Sequence, residues 1–164
     1  MKSLSSAVAQ IDQFSNLSEA AIERLDAAVT WHDYDQGHFI IDAAACKPHG
    51  VYLLISGTAD VLHADPNQGL VQLSELNAVT CFGEYSAIDG HPCAVSVRTT
   101  TPCTVAEIPA ETFRAVLADS PALSLYLLRK AVGTIRGMTS ELVSCRDAEH
   151  KIDEAYHKSM LWTL

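Results

Sequence analysis

Between His38 and Ile108 the chain breaks into short apolar runs separated by turn-forming residues, and this rhythm confines the stretch to an all-β fold. The runs are Phe39 to Ile41, Val51 to Ile55, Thr58 to His63, Val71 to Leu76, Ala94 to Arg98 and Cys103 to Ile108. Each has the length of a strand and is too short for a core helix. Gly57, the Asp65-Pro66-Asn67-Gln68-Gly69 segment and Thr101-Pro102 supply reversals between them. The pattern predicts antiparallel strands closed into a small sandwich or barrel.

On either side the period changes to 3.6. Residues 18 to 29 place Ile22, Leu25 and Val29 on one helical face behind Ser18, a good cap. A second helical pattern, with Phe113, Val116 and Leu117, follows Pro109, and Ser120-Pro121 then pairs a cap with proline at the first helical position. The expected organisation is a β body with its N-terminal helix over residues 1–120 and a helical extension over 121–164. In that extension Leu128, Ala131, Ile135, Met138, Leu142, Cys145, Glu149, Ile152 and Tyr156 alternate by three and four, a coiled-coil-like register. Gly133 and Gly137 each cost such a helix about 1 kcal/mol against alanine, best tolerated where another backbone approaches. Either the helix packs along its own β body or it pairs with a second helix. The register runs past what a small sandwich could cover, which favours pairing.

Several function classes are excluded by composition. No stretch approaches the ~18 consecutive apolar residues of a membrane span, and the opening Met1-Lys2-Ser3-Leu4-Ser5-Ser6 lacks a signal-peptide core, so a cytoplasmic, membrane-free protein is expected. Cys46, Cys81, Cys93, Cys103 and Cys145 include no C-x-x-C pair, which fits reduced thiols. Residues 1–125 carry five Lys/Arg against fifteen Asp/Glu, and this acidic body repels a nucleic-acid backbone. No G-x-S-x-G, H-E-x-x-H or P-loop pattern is present, so no catalytic residues and no enzyme are expected. Cys46-Lys47-Pro48-His49 could offer zinc or haem ligands, yet scattered loop residues more often stay unliganded, and no metal is expected.

The most informative stretch is Cys81-Phe82-Gly83-Glu84-Tyr85-Ser86-Ala87-Ile88-Asp89-Gly90-His91-Pro92-Cys93-Ala94-Val95-Ser96-Val97. Its glycine lets backbone amides approach a ligand, and the amides of a short helix from about Glu84 to Ile88 would face an anion. Glu84 suits either the hydrogen bonds of ribose hydroxyls or the first turn of that helix, where an acid is favoured.

In order and spacing this stretch resembles the phosphate-binding cassette of the cyclic nucleotide-binding domain family. Phe82-Gly83-Glu84, Ile88, Pro92, Ala94 and Ser96-Val97 carry the likeness. It extends over residues 14 to 145: Phe14-x-x-Leu17-Ser18 is similar to the opening helix, Tyr34-x-x-Gly37-x-Phe39-Ile40 to the first strand, and Val51 to Gly57 to the strand-and-glycine signature. The resemblance implies a mainly β protein, an antiparallel β-roll with an N-terminal helix, a short cassette helix and a long C-terminal helix. It also implies a regulatory module with cyclic AMP, cyclic GMP or another nucleotide as ligand, no cofactor, and Phe82, Gly83, Glu84, Tyr85, Ser86, Cys93, Ala94 and Val95 lining the site.

Two residues depart from that pattern. Where the family carries an arginine that pairs with the cyclic phosphate, this chain has Cys93, and where it usually has glycine before Phe-Gly-Glu, this chain has Val79. Arg98 lies at an odd offset from Cys93 and points to the other face of a strand. Cys93 beside a helix N-terminus could be a reactive sensor thiol, but with no fixed cation nearby an inert thiol is favoured. No helix-turn-helix fits after the long helix. The expectation is a non-catalytic sensor with weak or altered ligand binding that signals through its C-terminal helix to a partner or a second copy. The alternative is a degenerate roll that binds no nucleotide and serves as an interaction scaffold.

Overall fold

Ser18 caps as its place before an apolar-periodic stretch predicts: its hydroxyl accepts from the Ala21 amide at 3.2 Å and opens α1 (Glu19–Ala28), which buries Leu25. The computed structural model describes residues 17–45 and 50–161 together with Leu4, Val8, Ile11, Phe14 and Ser15, without the side chains of 147–150 and 152–161. Cys46 to His49, and the Glu149, Ile152 and Tyr156 side chains of the heptad row, therefore lie outside the described residues.

After α1 come β1 (Thr30–Tyr34), β2 (Phe39–Ile41), β3 (Val51–Ser56), β4 (Thr58–Asp65), β5 (Gly69–Asn77) and β6 (Thr80–Phe82). A six-residue helix α2 (Glu84–Asp89) precedes β7 (Ser96–Thr99) and β8 (Cys103–Ile108), and α3 (Ala110–Asp119) leads into α4 (Pro121–Leu161). The strands form two four-stranded antiparallel sheets, ordered β1-β8-β3-β6 and β2-β7-β4-β5. This is the β-roll with flanking helices that the resemblance implies. The β4–β5 hairpin closes where the Asp-Pro-Asn-Gln-Gly segment predicts, with the Asp65 carboxylate accepting from the amides of Asn67 and Gln68 at 2.7 and 2.9 Å.

Two strands escape the apolar-run pattern, and both are edges. β1 pairs only with β8, and its Thr-Trp-His-Asp-Tyr sequence is half covered at best; β6 pairs only with β3 and has three residues. The run expected from Ala94 enters its strand only at Ser96, and Ala94 stays exposed in a bend. β3 is the opposite case, since its Val51 to Leu54 are all buried. Alternation sends Tyr52 and Leu54 into the roll, where they join Ile40, Ile41, Ala59, Phe82, Val97, Cys103 and Val105 in one apolar cluster. The fully buried Leu25, Phe113 and Val116 carry the apolar faces of α1 and α3, which pack on each other.

The chain divides into two compact units, residues 1–124 and 125–164. The second is helical through Leu161 and exposes a row of large apolar side chains: Leu128, Ile135, Met138 and Leu142 are 60–65% exposed. Among the described residues no helix is long and apolar enough to cross a membrane.

Candidate functional site

The turn from β6 into α2 is set by Gly83, which takes φ 82° and ψ 0°, a left-handed conformation that side chains resist. A Cβ there would lie 2.8 Å from the Gly50 carbonyl oxygen and 3.2 Å from Tyr52 Cδ2. Glycine thus permits both the conformation and the approach of the β6–α2 turn to β3. The Tyr52 ring forms the floor beneath, stacked on Phe82 with centroids 5.4 Å apart. Its hydroxyl donates to Glu107 Oε1 at 3.2 Å, and the other Glu107 oxygen lies 2.9 Å from His32 Nε2. Burial, then the adjacent Glu107 carboxylate, holds the Tyr52 phenol well above its ordinary pKa.

Helix α2 is tied at its end. Gly90, at φ 74°, donates its amide to the Ser86 carbonyl at 3.0 Å, and the Ser86 hydroxyl donates to the His91 carbonyl at 2.5 Å. Arg114 of α3 donates from Nη1 to the Ala87 carbonyl at 2.7 Å, a charge-assisted tether between the cassette helix and α3. At the other end of α3, Asp119 pairs with Arg24 of α1 at 2.7 Å, an exposed contact that adds little stability.

The residues expected to line a site separate into two groups. Phe82, Glu84 and Ser86 are buried, Gly83 is half-buried, and Cys93 is half-buried against the roll cluster. Tyr85 and Ala94 instead stand exposed and Val95 is half-buried. Burial raises the Cys93 thiol pKa most, the Ser86 hydroxyl pulls it partly back, and the Asp89 and Glu84 carboxylates add to the rise. A raised pKa disfavours the thiolate, the reactive form of cysteine. Arg98 points away from the cassette face, with its guanidinium carbon 5.8 Å from the Phe39 ring centroid. Val79 holds φ 68°, the conformation of a glycine, while its amide donates to the Leu54 carbonyl at 2.7 Å. Among the described residues no group of three or more His, Cys, Asp and Glu side chains could hold a metal ion.

Tyr52 and Arg114 were not among the expected site residues. Tyr52 sits inside an apolar run and reads as core, which it also is. Arg114 reaches a carbonyl 27 residues away, a contact that carries no local signal.

Residues 31–120, more than half of the chain, match the cyclic nucleotide-binding domain. The chain belongs to the cyclic nucleotide-binding domain family. It is 26% identical over 129 residues to the CRP-like cAMP-activated global transcriptional regulator of Mycobacterium tuberculosis, covering 79% of this chain and 57% of that regulator. The chain therefore spans little more than half the length of that curated relative. Among solved structures, the sensor domain of the transcriptional regulator DNR from Pseudomonas aeruginosa superposes with a TM-score of 0.74 at 20% identity, over 83% of this chain and 91% of that one. The regulatory subunit of a cAMP-independent protein kinase A from Trypanosoma brucei superposes with a TM-score of 0.68 at 19% identity, over 77% of this chain and 45% of that one. That structure is a triple mutant, one of whose substitutions introduces an arginine, bound to cAMP. These likenesses establish the roll.

Proposed function

We propose that this chain is a non-catalytic regulatory module whose cassette binds cyclic nucleotides weakly and which signals through its C-terminal helix to a second copy or a protein partner. One observation carries the reading. The position after Pro92, where the family places the cation for the cyclic phosphate, holds a half-buried neutral thiol beside two carboxylates. The Trypanosoma kinase subunit supports it: it belongs to a cAMP-independent protein kinase A, and its triple mutant, which has gained an arginine, is bound to cAMP. The exposed apolar row of α4 supports the second half, because large apolar side chains in such a row mark a surface that another helix covers. The acidic body, −10 over residues 1–125, weighs against direct contact with nucleic acid.

Calorimetric titration of cyclic AMP, cyclic GMP and cyclic di-GMP into the unmodified protein and into Cys93→Arg tests this. A charge-assisted phosphate contact contributes about 1.5–3 kcal/mol, so cyclic AMP should bind Cys93→Arg about ten- to a hundred-fold more tightly. Submicromolar affinity in the unmodified protein refutes the argument from the missing cation. A folded Cys93→Arg protein that binds none of the three leaves the interaction scaffold as the function.

A further inference from the structure

We propose that Glu141 and Arg146 make α4 self-recognising: its apolar row is covered by α4 of a second copy, parallel and in register, because only that pairing brings these two charges together. The inference rests on the proposed role of α4 in signalling and names its partner.

The exposed row repeats every seven residues. With Leu128, Ile135 and Leu142 at the a positions of a heptad, Ala131, Met138 and Cys145 fall at d. Leu128, Ile135, Met138 and Leu142 stand exposed, and Cys145 is an exposed free thiol. Such a seam is satisfied by another helix, and the residues flanking it decide which one. Glu141 sits at g, just before Leu142, and Arg146 at e, just after Cys145. Both are exposed.

Three and four residues to either side of Glu141 lie Gly137, Met138, Ser144 and Cys145, so its own helix offers it no cation. Arg146 is five residues on, about 140° round the helix and out of reach. Between two parallel helices in register, a g residue faces the e residue five positions further along the other helix. That places Glu141 against the second copy's Arg146, and twofold symmetry makes the pair twice. The preceding pair of this kind, Thr134 with Thr139, is neutral.

Other pairings lose the contact. Sliding one helix by a heptad sets Glu141 opposite Thr139 or Asp153. Antiparallel helices bring g against g, and the g residues Thr134, Glu141 and Ala148 include no cation; with Met138 against Leu142 at the centre, Glu141 meets Glu141 of the second copy. Gly133 and Gly137 fall at f and c, on the outside of the pair, where a Cβ would meet nothing within 4 Å.

Sedimentation equilibrium of the full chain at low salt, together with oxidation of its thiols by diamide, decides it. The unmodified chain should be a dimer at micromolar concentration. Arg146→Glu and Glu141→Arg each turn two attractions into two repulsions and should each weaken the dimer about tenfold, and the two substitutions together should restore it. Diamide should cross-link the unmodified chain through Cys145, since a d residue faces its own copy only in this pairing, and Cys145→Ser should abolish that cross-link. Gly133→Ala with Gly137→Ala should dimerise as the unmodified chain does; a loss would put the glycines at the seam and overturn the register. A dimer that fails to cross-link through Cys145, or that the double charge swap does not recover, overturns the pairing while the second copy stands as partner. A monomer overturns the second copy itself and leaves the proposed function with another protein as its partner. Failure of the nucleotide titrations touches the ligand reading alone and moves none of these results.

Discussion

Two glycines bracket the cassette helix in nearly the same backbone conformation, Gly83 at φ 82° and Gly90 at φ 74°, and they differ in what surrounds them. A Cβ at 90 meets nothing within 4 Å, whereas a Cβ at 83 lies 2.8 Å from a backbone oxygen that cannot swing aside. Substituting each by alanine separates strain from contact. The left-handed conformation costs alanine roughly 1–2 kcal/mol, and the stiffer unfolded chain returns about 0.4–1 kcal/mol, so Gly90→Ala should lose about 1 kcal/mol. Gly83→Ala bears the same loss plus that of overpacking, about 1–3 kcal/mol more, for a total of about 2–4 kcal/mol. In a domain of this size each kcal/mol moves Tm by about 2–4 °C. Scanning calorimetry should therefore show a fall of about 2–4 °C for Gly90→Ala and of about 5–15 °C for Gly83→Ala. Equal falls would refute the close approach of the β6–α2 turn to Gly50.

The Tyr52 phenol gives a pH-dependent prediction. Its pKa is raised by folding, so the folded state holds the proton more tightly, and stability present below about pH 10 is lost as pH rises further. Tyr52→Phe should lose about 1 kcal/mol at pH 7 and flatten the alkaline fall in Tm between pH 9 and 11.5, leaving the smaller slope of Tyr34, whose pKa is also raised. An unchanged slope would mean that folding does not raise the Tyr52 pKa. The exposed apolar row predicts a dimer by light scattering at micromolar concentration, converted to monomer by Leu128→Ser with Ile135→Ser; a monomer in the unmodified protein removes helix pairing.

How much of this was legible in the sequence depends on whether a residue's role is local. β3 was readable because its two faces are both covered, so its apolar run is unbroken, and Ser18 and Pro121 marked helix starts through chemistry confined to one turn. β1 was not, because an edge strand with one half-covered face carries Thr, His and Asp where a central strand carries Val and Ile. The cassette turn was legible through Gly83. Its floor was hidden, since Tyr52 meets Phe82 only once β3 and β6 pair. Val79 shows the same limit from the other side: the fold imposes a left-handed φ of 68° on a β-branched residue, and no propensity argument would place valine there.

The engagement of the arginines has a consequence for encounter rates. Arg24 is held by Asp119, Arg98 by Phe39 and Arg114 by the Ala87 carbonyl, while residues 1–125 contain fifteen Asp/Glu. Most of that negative charge is left to project into solvent. It acts over about 8 Å at physiological ionic strength, before any surfaces touch. A partner presenting a basic face is drawn in and turned toward the body, with association accelerated by about ten- to a thousand-fold at low salt, and an acidic partner is held off. On the proposed function, the time this module takes to find its partner is therefore set by ionic strength, while the time the pair stays together is set by the apolar contacts that follow.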